Sequence, residues 1–283
     1  MAAVVMCAFA GCVNSPDAAL TQLMESRRLA ADLVVQFTKA ADASNRAVMA
    51  DTDEASTAFA NEAKQATEAV QNNVDSLRPI LNNLGFSNET RLLEDFNSRF
   101  GEYRKTDGEI LSLAVENTNL KAQRLSFGPA NDAVETFRRS VDGAVAADAT
   151  TNNWQAKALA AAAVAFVREI QVLQAPHIAE AKDEAMTEIE KRMAASEAQA
   201  REALRKLEGL VASTSRPHVA DANAALDRFM ELNGQIVALS RRNTNVRSLA
   251  LALGQKRTVS AACEEDLRAL QDAVASRDFK ATR

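Results

Sequence analysis

Residues that stop helices are scarce in this 283-residue chain, which holds 9 glycines, 5 prolines, one tryptophan and one tyrosine, with aromatic residues at 5%. With so few breakers, and with Ala, Leu, Glu, Lys and Arg at helix-forming density, the helices run long. Histidine is scarcer still. His177 and His218 are the only two, and neither has a Glu three residues before it, which excludes the paired Glu-x-x-His ligands of a di-iron bundle. A zinc site on them would need carboxylates that no spacing nominates. Each His reads as a surface or helix-end residue. No Gly-rich phosphate loop, nucleophile elbow or Cys-based redox pair is present, so neither an enzyme nor a cofactor is indicated.

Charge of one sign is also missing. The net charge of -5 with mixed signs argues against a nucleic-acid binder, which should carry a basic face. Cys7 and Cys12 lie in an apolar leader and Cys263 stands alone on the last helix, so no disulfide framework follows. Cys263 falls at an apolar-periodic position matching Phe137 and reads as a small core residue. The apolar runs Met1 to Val13 and Ala158 to Val167 are shorter than the roughly 20 residues a bilayer span requires. The leader, residues 1-16, stays open to three readings. It is a membrane segment or signal whose start lies upstream, or a lipoprotein box at Phe9-Ala10-Gly11-Cys12, or an ordinary chain terminus.

What the sequence does have is a repetition. Gly108, Ile110, Leu113, Asn117-Thr118-Asn119, Leu125 and Gly128 recur about 126 residues later as Gly234, Ile236, Leu239, Asn243-Thr244-Asn245, Leu251 and Gly254. Tyr103 is matched by Phe229. Two copies of one helical hairpin follow, residues 17-148 and 149-283. A lone hairpin cannot bury its apolar stripe, so the two are expected to pack as one elongated, antiparallel up-down-up-down four-helix bundle, all-α throughout.

Turn signals divide the chain. Asn82 to Asn88 is the clearest, with Gly85 as a left-handed cap and Ser87 or Asn88 opening the next helix. Ala147 to Asn153 and Ala212 to Pro217 make the other two. The rising arms are expected to be interrupted, one near Asp51, where Asp51 and Glu54 have capping-box spacing, the other at Pro176. The descending arms run from about Glu89 to Ala146 and from about His218 to Arg277. Gly128-Pro129 should kink or loosen one turn of the first.

On those arms Ile110, Leu113, Asn117, Leu120, Arg124 and Phe127 form one stripe at alternating steps of three and four, as do Ile236, Leu239, Asn243, Val246, Ala250 and Leu253. Asn117 and Asn243 thus occupy core positions, expected on diagonal, parallel helices. A paired core amide fixes register, because a slipped alignment would strand it. Alternatively this polar waist is a ligand pocket, with Arg124, Arg46 and Arg247 facing a small carboxylate. Arg27 and Arg28, expected level with Arg138 and Arg139, are solvated faces, lipid contacts or a second anion site.

The phrases Asp107-Gly108-Glu109-Ile110-Leu111-Ser112-Leu113-Ala114-Val115-Glu116-Asn117 and Gln235-Ile236-Val237-Ala238-Leu239-Ser240-Arg241-Arg242-Asn243 resemble the descending helix of the extracytoplasmic sensor region of methyl-accepting chemotaxis proteins and related sensor kinases, in its four-helix-bundle or helical bimodular form. The resemblance implies a periplasmic, membrane-tethered module for chemotaxis or related signal transduction. Such a module binds a small ligand or a partner, passes a helix displacement toward the membrane, and forms a homodimer in many sensors of this type. The rival expectation is a lipoprotein-like structural or partner-binding rod without a pocket. A third, a helical effector that assembles on membranes, lacks a helix apolar enough for insertion.

Overall fold

Helix-forming composition with punctuated turns produces an all-α chain in the computed structural model, which describes residues 16–146 and 154–278. The leader Met1 to Val13 and the mid-chain turn Ala147 to Asn153 lie outside the described residues. Helices α1 (Pro16–Met49), α2 (Asp53–Asn83) and α3 (Ser87–Glu116) come first. Gly85 adopts φ 68°, a left-handed conformation that glycine reaches without strain, and the Phe86 N–H closes the end of α2 on the Leu81 carbonyl at 3.0 Å. This turn matches its sequence signal.

The rising arms do not run on. Arg46 meets Glu62 at 2.6 Å and Asn73 donates to Asp32 at 2.7 Å, so α2 folds back along α1 and residues 50–52 are a reversal. Thr52, rather than Asp51, caps the return, its Oγ1 accepting the Ala55 N–H at 3.1 Å. The second arm behaves alike: Pro176 is carried inside α6 (Trp154–Ala179), and the chain reverses at 180–182 before α7 (Asp183–Leu210). There the Glu180 Oε1 accepts the N–H groups of Ala181 and Lys182 at 2.8 and 2.9 Å, and Lys182 is extended. A carboxylate that caps two backbone donors, not the proline, ends the arm.

The described chain divides into two compact units, and neither coincides with residues 17-148 or 149-283. One contains the chain up to Ala47, Thr57–Glu109 and the part from Leu251 onward; the other contains Val48–Ser56 and Ile110–Ala250. Each therefore combines helices from both copies of the repeat. In the first unit α1, α2 and the first part of α3 pack with α10 (Arg257–Ala275). Leu33, Phe37, Val74, Phe96, Phe100 and Leu270 are buried in its core, with the Phe37 ring edge-on to Phe96 at 6.1 Å. Cys263 is buried there, as its position in the periodicity implied. In the second unit α4 (Thr118–Leu125) and α5 (Asn131–Ala146) pack with α6, α7, α8 (Arg216–Arg242) and α9 (Thr244–Leu251). Its core is rich in small side chains, Ala122, Ala130, Ala163, Ala200 and Ala222 among Val167, Ile170 and Phe229.

Both descending arms are broken twice, at matching places. Asn117 and Asn243 sit at φ 50° and 53°, and wide π-helical turns follow at Ser126–Ala130 and Ala252–Lys256. The first π turn contains Pro129, the loosening that Gly128-Pro129 announced. The expected stripe is corrected past the asparagines: Phe127 and Leu253 are 74% and 65% exposed and Arg124 is exposed. Burial in the second unit instead follows steps of four, through Ile110, Ala114, Thr118, Ala122, Ser126 and Ala130, and through Ile236, Ser240, Thr244 and Ser248. A regular helix rotates about 40° beyond a full turn in four residues, so such a row drifts around it. The left-handed residue and the π turn take out that drift and return the next small residue to the interior.

Candidate functional site

A left-handed residue ends one helix and starts another, leaving the new N–H groups in need of acceptors. In the second unit the two restarts supply each other. The Thr118 N–H donates to Thr244 Oγ1 and the Thr244 N–H to Thr118 Oγ1, each at 3.1 Å. The Asn119 N–H donates to Asn245 Oδ1 and the Asn245 N–H to Asn119 Oδ1, again at 3.1 Å. Asn119 Nδ2 reaches Asn243 Oδ1 and Asn245 Nδ2 reaches Asn117 Oδ1, both at 2.9 Å. The result is a clasp between antiparallel helices with near-twofold symmetry, in which each copy caps the other. Asn117 and Asn243 are both buried in it, but as antiparallel neighbours joined through Asn245 and Asn119 rather than on diagonal, parallel helices.

The arginines expected around them do not converge. Arg124 is half exposed, donates to the Asp51 carbonyl at 3.1 Å and faces Asp53 at 3.6 Å. Arg247 is exposed. Arg46 belongs to the other unit, paired with Glu62 and Asp42 and lying 4.5 Å over the Phe59 ring. The cleft of about 600 Å³ along α5 and α8 is lined by Pro129, Asp132, Thr136, Ser140, Asp221 and Arg228, and by none of these five residues. Arg27 and Arg28 have partners too, the carbonyls of Ala275 and Arg277 and the Glu25 carboxylate, while Arg138 pairs with Glu135 and Asp142.

Beside the clasp lies a row the sequence reading missed. His177 is wholly buried, not a surface residue, although it does lie in the last turn of α6. Its Nδ1 is 2.8 Å from Ser240 Oγ and its Nε2 2.8 Å from Glu190 Oε1. Arg241 donates to the same Glu190 oxygen at 2.7 Å, and this bond chiefly holds the Glu190 carboxyl below its ordinary range, with His177 adding to it. The Ser-His-Glu order has the residue types of a nucleophilic triad, yet the Ser240 hydroxyl is buried and donates to the His177 carbonyl at 2.8 Å. It presents no nucleophile to a substrate. The signal that could have found the row was the step of four, which makes Ser240 a core position.

The first unit carries a buried ion pair. Lys256 Nζ lies 2.9 Å from Asp107 Oδ1, with both side chains at most 4% exposed, and Ser44 Oγ donates to the same oxygen at 2.5 Å. Burial pulls the Lys256 ammonium below its usual pKa, against the pull of Asp107. Burial likewise pushes the Tyr103 hydroxyl upward, and the neighbouring Asp107 carboxylate adds to that shift. The π turn at 252–256 is what turns Lys256 inward, a placement regular periodicity does not reveal.

Among the described residues there is no group of three or more His, Cys, Asp or Glu that could hold a metal. Against the expectation that no helix here is apolar enough for insertion, α6, which contains the run Ala158 to Val167, is long and apolar enough to cross a membrane by length and composition, with mean hydropathy 1.4 and 33% of that stretch buried. Comparison with models of protein families, with curated proteins and with solved structures finds no match to this chain.

Proposed function

We propose that the chain is a non-enzymatic sensory module of chemoreceptor type, extracytoplasmic and tethered to a membrane. In this reading each unit is an up-down-up-down four-helix bundle, and a small ligand or a partner biases the position of the descending helices. The observation that carries it is the clasp. Two helices broken at matching residues and tied by reciprocal hydrogen bonds can exchange one discrete arrangement for another, as a relay requires. In this reading a small carboxylate takes the place of the Asp53 carboxylate, which Arg124 and Lys121 hold at 3.6 and 3.8 Å.

The test is thermal unfolding of the whole chain with a panel of small carboxylates such as acetate and succinate. Stabilisation of the unmodified protein, lost in Arg124→Ala, supports the reading; no shift across a broad metabolite screen counts against it. A second reading, a structural or partner-binding rod without a pocket, is favoured by one observation: Arg124 and Arg247 are exposed, and the clasp interior is filled by its own amides.

A further inference from the structure

We infer that the trough between α6 and α7 at the Trp154 end binds a straight-chain carboxylate, with its alkyl tail against Leu159, Leu210 and Trp154 and its head group on Lys206. A mismatch in α6 points there. From Ala158 to Val167 the helix carries no polar side chain, and a helix apolar on every side is ordinarily covered on every side. Yet only 33% of its apolar stretch is buried. Two adjoining clefts of about 500 and 340 Å³ lie over the seam with α7 and share Leu159 and Lys206. Trp154 and Leu210 stand at the larger one, 70% and 39% exposed.

The occupant follows from the lining. In the larger cleft Lys206 is the one charged residue and Gln155 the one other polar side chain, the rest being apolar or glycine, as suits an apolar ligand with a single polar end. An extended peptide laid there would bury backbone N–H and C=O groups without partners, whereas an alkyl chain buries none. Lys206 can turn to a head group at little cost. It is 60% exposed and lies 3.3 Å from Glu202 Oε1, but Arg205 also donates to Glu202 and chiefly holds that carboxyl below its ordinary range. Glu202 keeps its arginine when Lys206 leaves, so the exchange strands no charge. Along 154–166 and 202–210 the cations Lys157, Arg205 and Lys206 outnumber Glu202 and Glu208, which favours an anionic head. This site is separate from Arg124 and Lys121, and its failure leaves the sensory reading as it stands.

Trp154 is the only tryptophan in the chain, so its fluorescence reports the site directly. Titrating the full chain with hexanoate, octanoate and decanoate, each below its micelle concentration, should give a saturable blue shift. Affinity should rise about fourfold for each added methylene. Lys206→Met keeps an apolar stem and removes the charge, so it should weaken decanoate several-fold and leave decanol, the same tail without a charge, unchanged. Gly209→Leu extends into the larger cleft without displacing anything, since a Cβ there meets no atom within 4 Å, and leucine is the better helix former. It should abolish binding of both. No saturable change with decanoate overturns the inference, as does a change that persists in Gly209→Leu, or equal decanoate affinity in Lys206→Met and the unmodified protein. A blue shift that follows protein concentration without any amphiphile means that a second copy fills the trough, and it overturns the inference too.

Discussion

Thr118 and Thr244 each donate a backbone N–H to the other's hydroxyl oxygen at 3.1 Å, and their two hydroxyls are themselves 3.1 Å apart. Two helices that restart side by side thereby share one pair of caps. Replacing either threonine by valine preserves shape and strands the partner's buried N–H. Each single variant should lose about 1–3 kcal/mol of stability in urea unfolding, and the double variant less than the sum, because both remove one shared set of bonds.

The Lys256–Asp107 pair behaves in the opposite way to a surface salt bridge. Lys256→Met leaves the Asp107 carboxylate buried without its cation and should destabilise the protein by about 3–5 kcal/mol. Adding Asp107→Leu removes the stranded charge, and most of that loss should return. A double variant as unstable as the single one would show that the pair does more than neutralise itself.

Glu89 ties the start of α3 to the end of the chain through two bonds from Arg277, at 2.6 and 2.7 Å. That guanidinium holds the Glu89 carboxyl below its ordinary value of 4.5. The folded state therefore binds this proton less readily than the unfolded state. The contribution is complete above the ordinary value and is lost as pH falls through the lowered one. Thermal midpoints measured from pH 6 down to pH 3 should drop less steeply in Glu89→Gln than in the unmodified chain.

Burial raises the Cys263 thiol to about 12, so at pH 8 almost none of it is thiolate. An aromatic disulfide reagent should leave the Cys263 peptide unmodified in the native protein, by mass spectrometry, and modify it fully in denaturant.

The repeat was legible in the sequence because its signal, identical residues at one offset, survives any packing arrangement. The helices and the turn at Gly85 were legible because local chemistry decides them. The reversals at 50–52 and 180–182 were not. A short break between two apolar stretches looks the same whether the chain goes straight on or folds back, and side-chain capping by Thr52 and Glu180 settles which. Asn117 and Asn243 were recognised as core residues, but their left-handed backbone was not, so the stripe was carried on to Arg124 and Phe127 at the wrong phase. Once the backbone is known, the row of four-residue steps explains both Ser240 and the small side chains that line the close helix contact.

Reciprocal capping makes each copy of the repeat depend on the other. A polypeptide holding a single copy of the repeat would expose the restart at its own asparagine, with no second threonine to receive those protons. Those groups would be left to water, or to a second copy laid antiparallel against it. Within one chain, the tandem repeat therefore supplies both halves of the exchange.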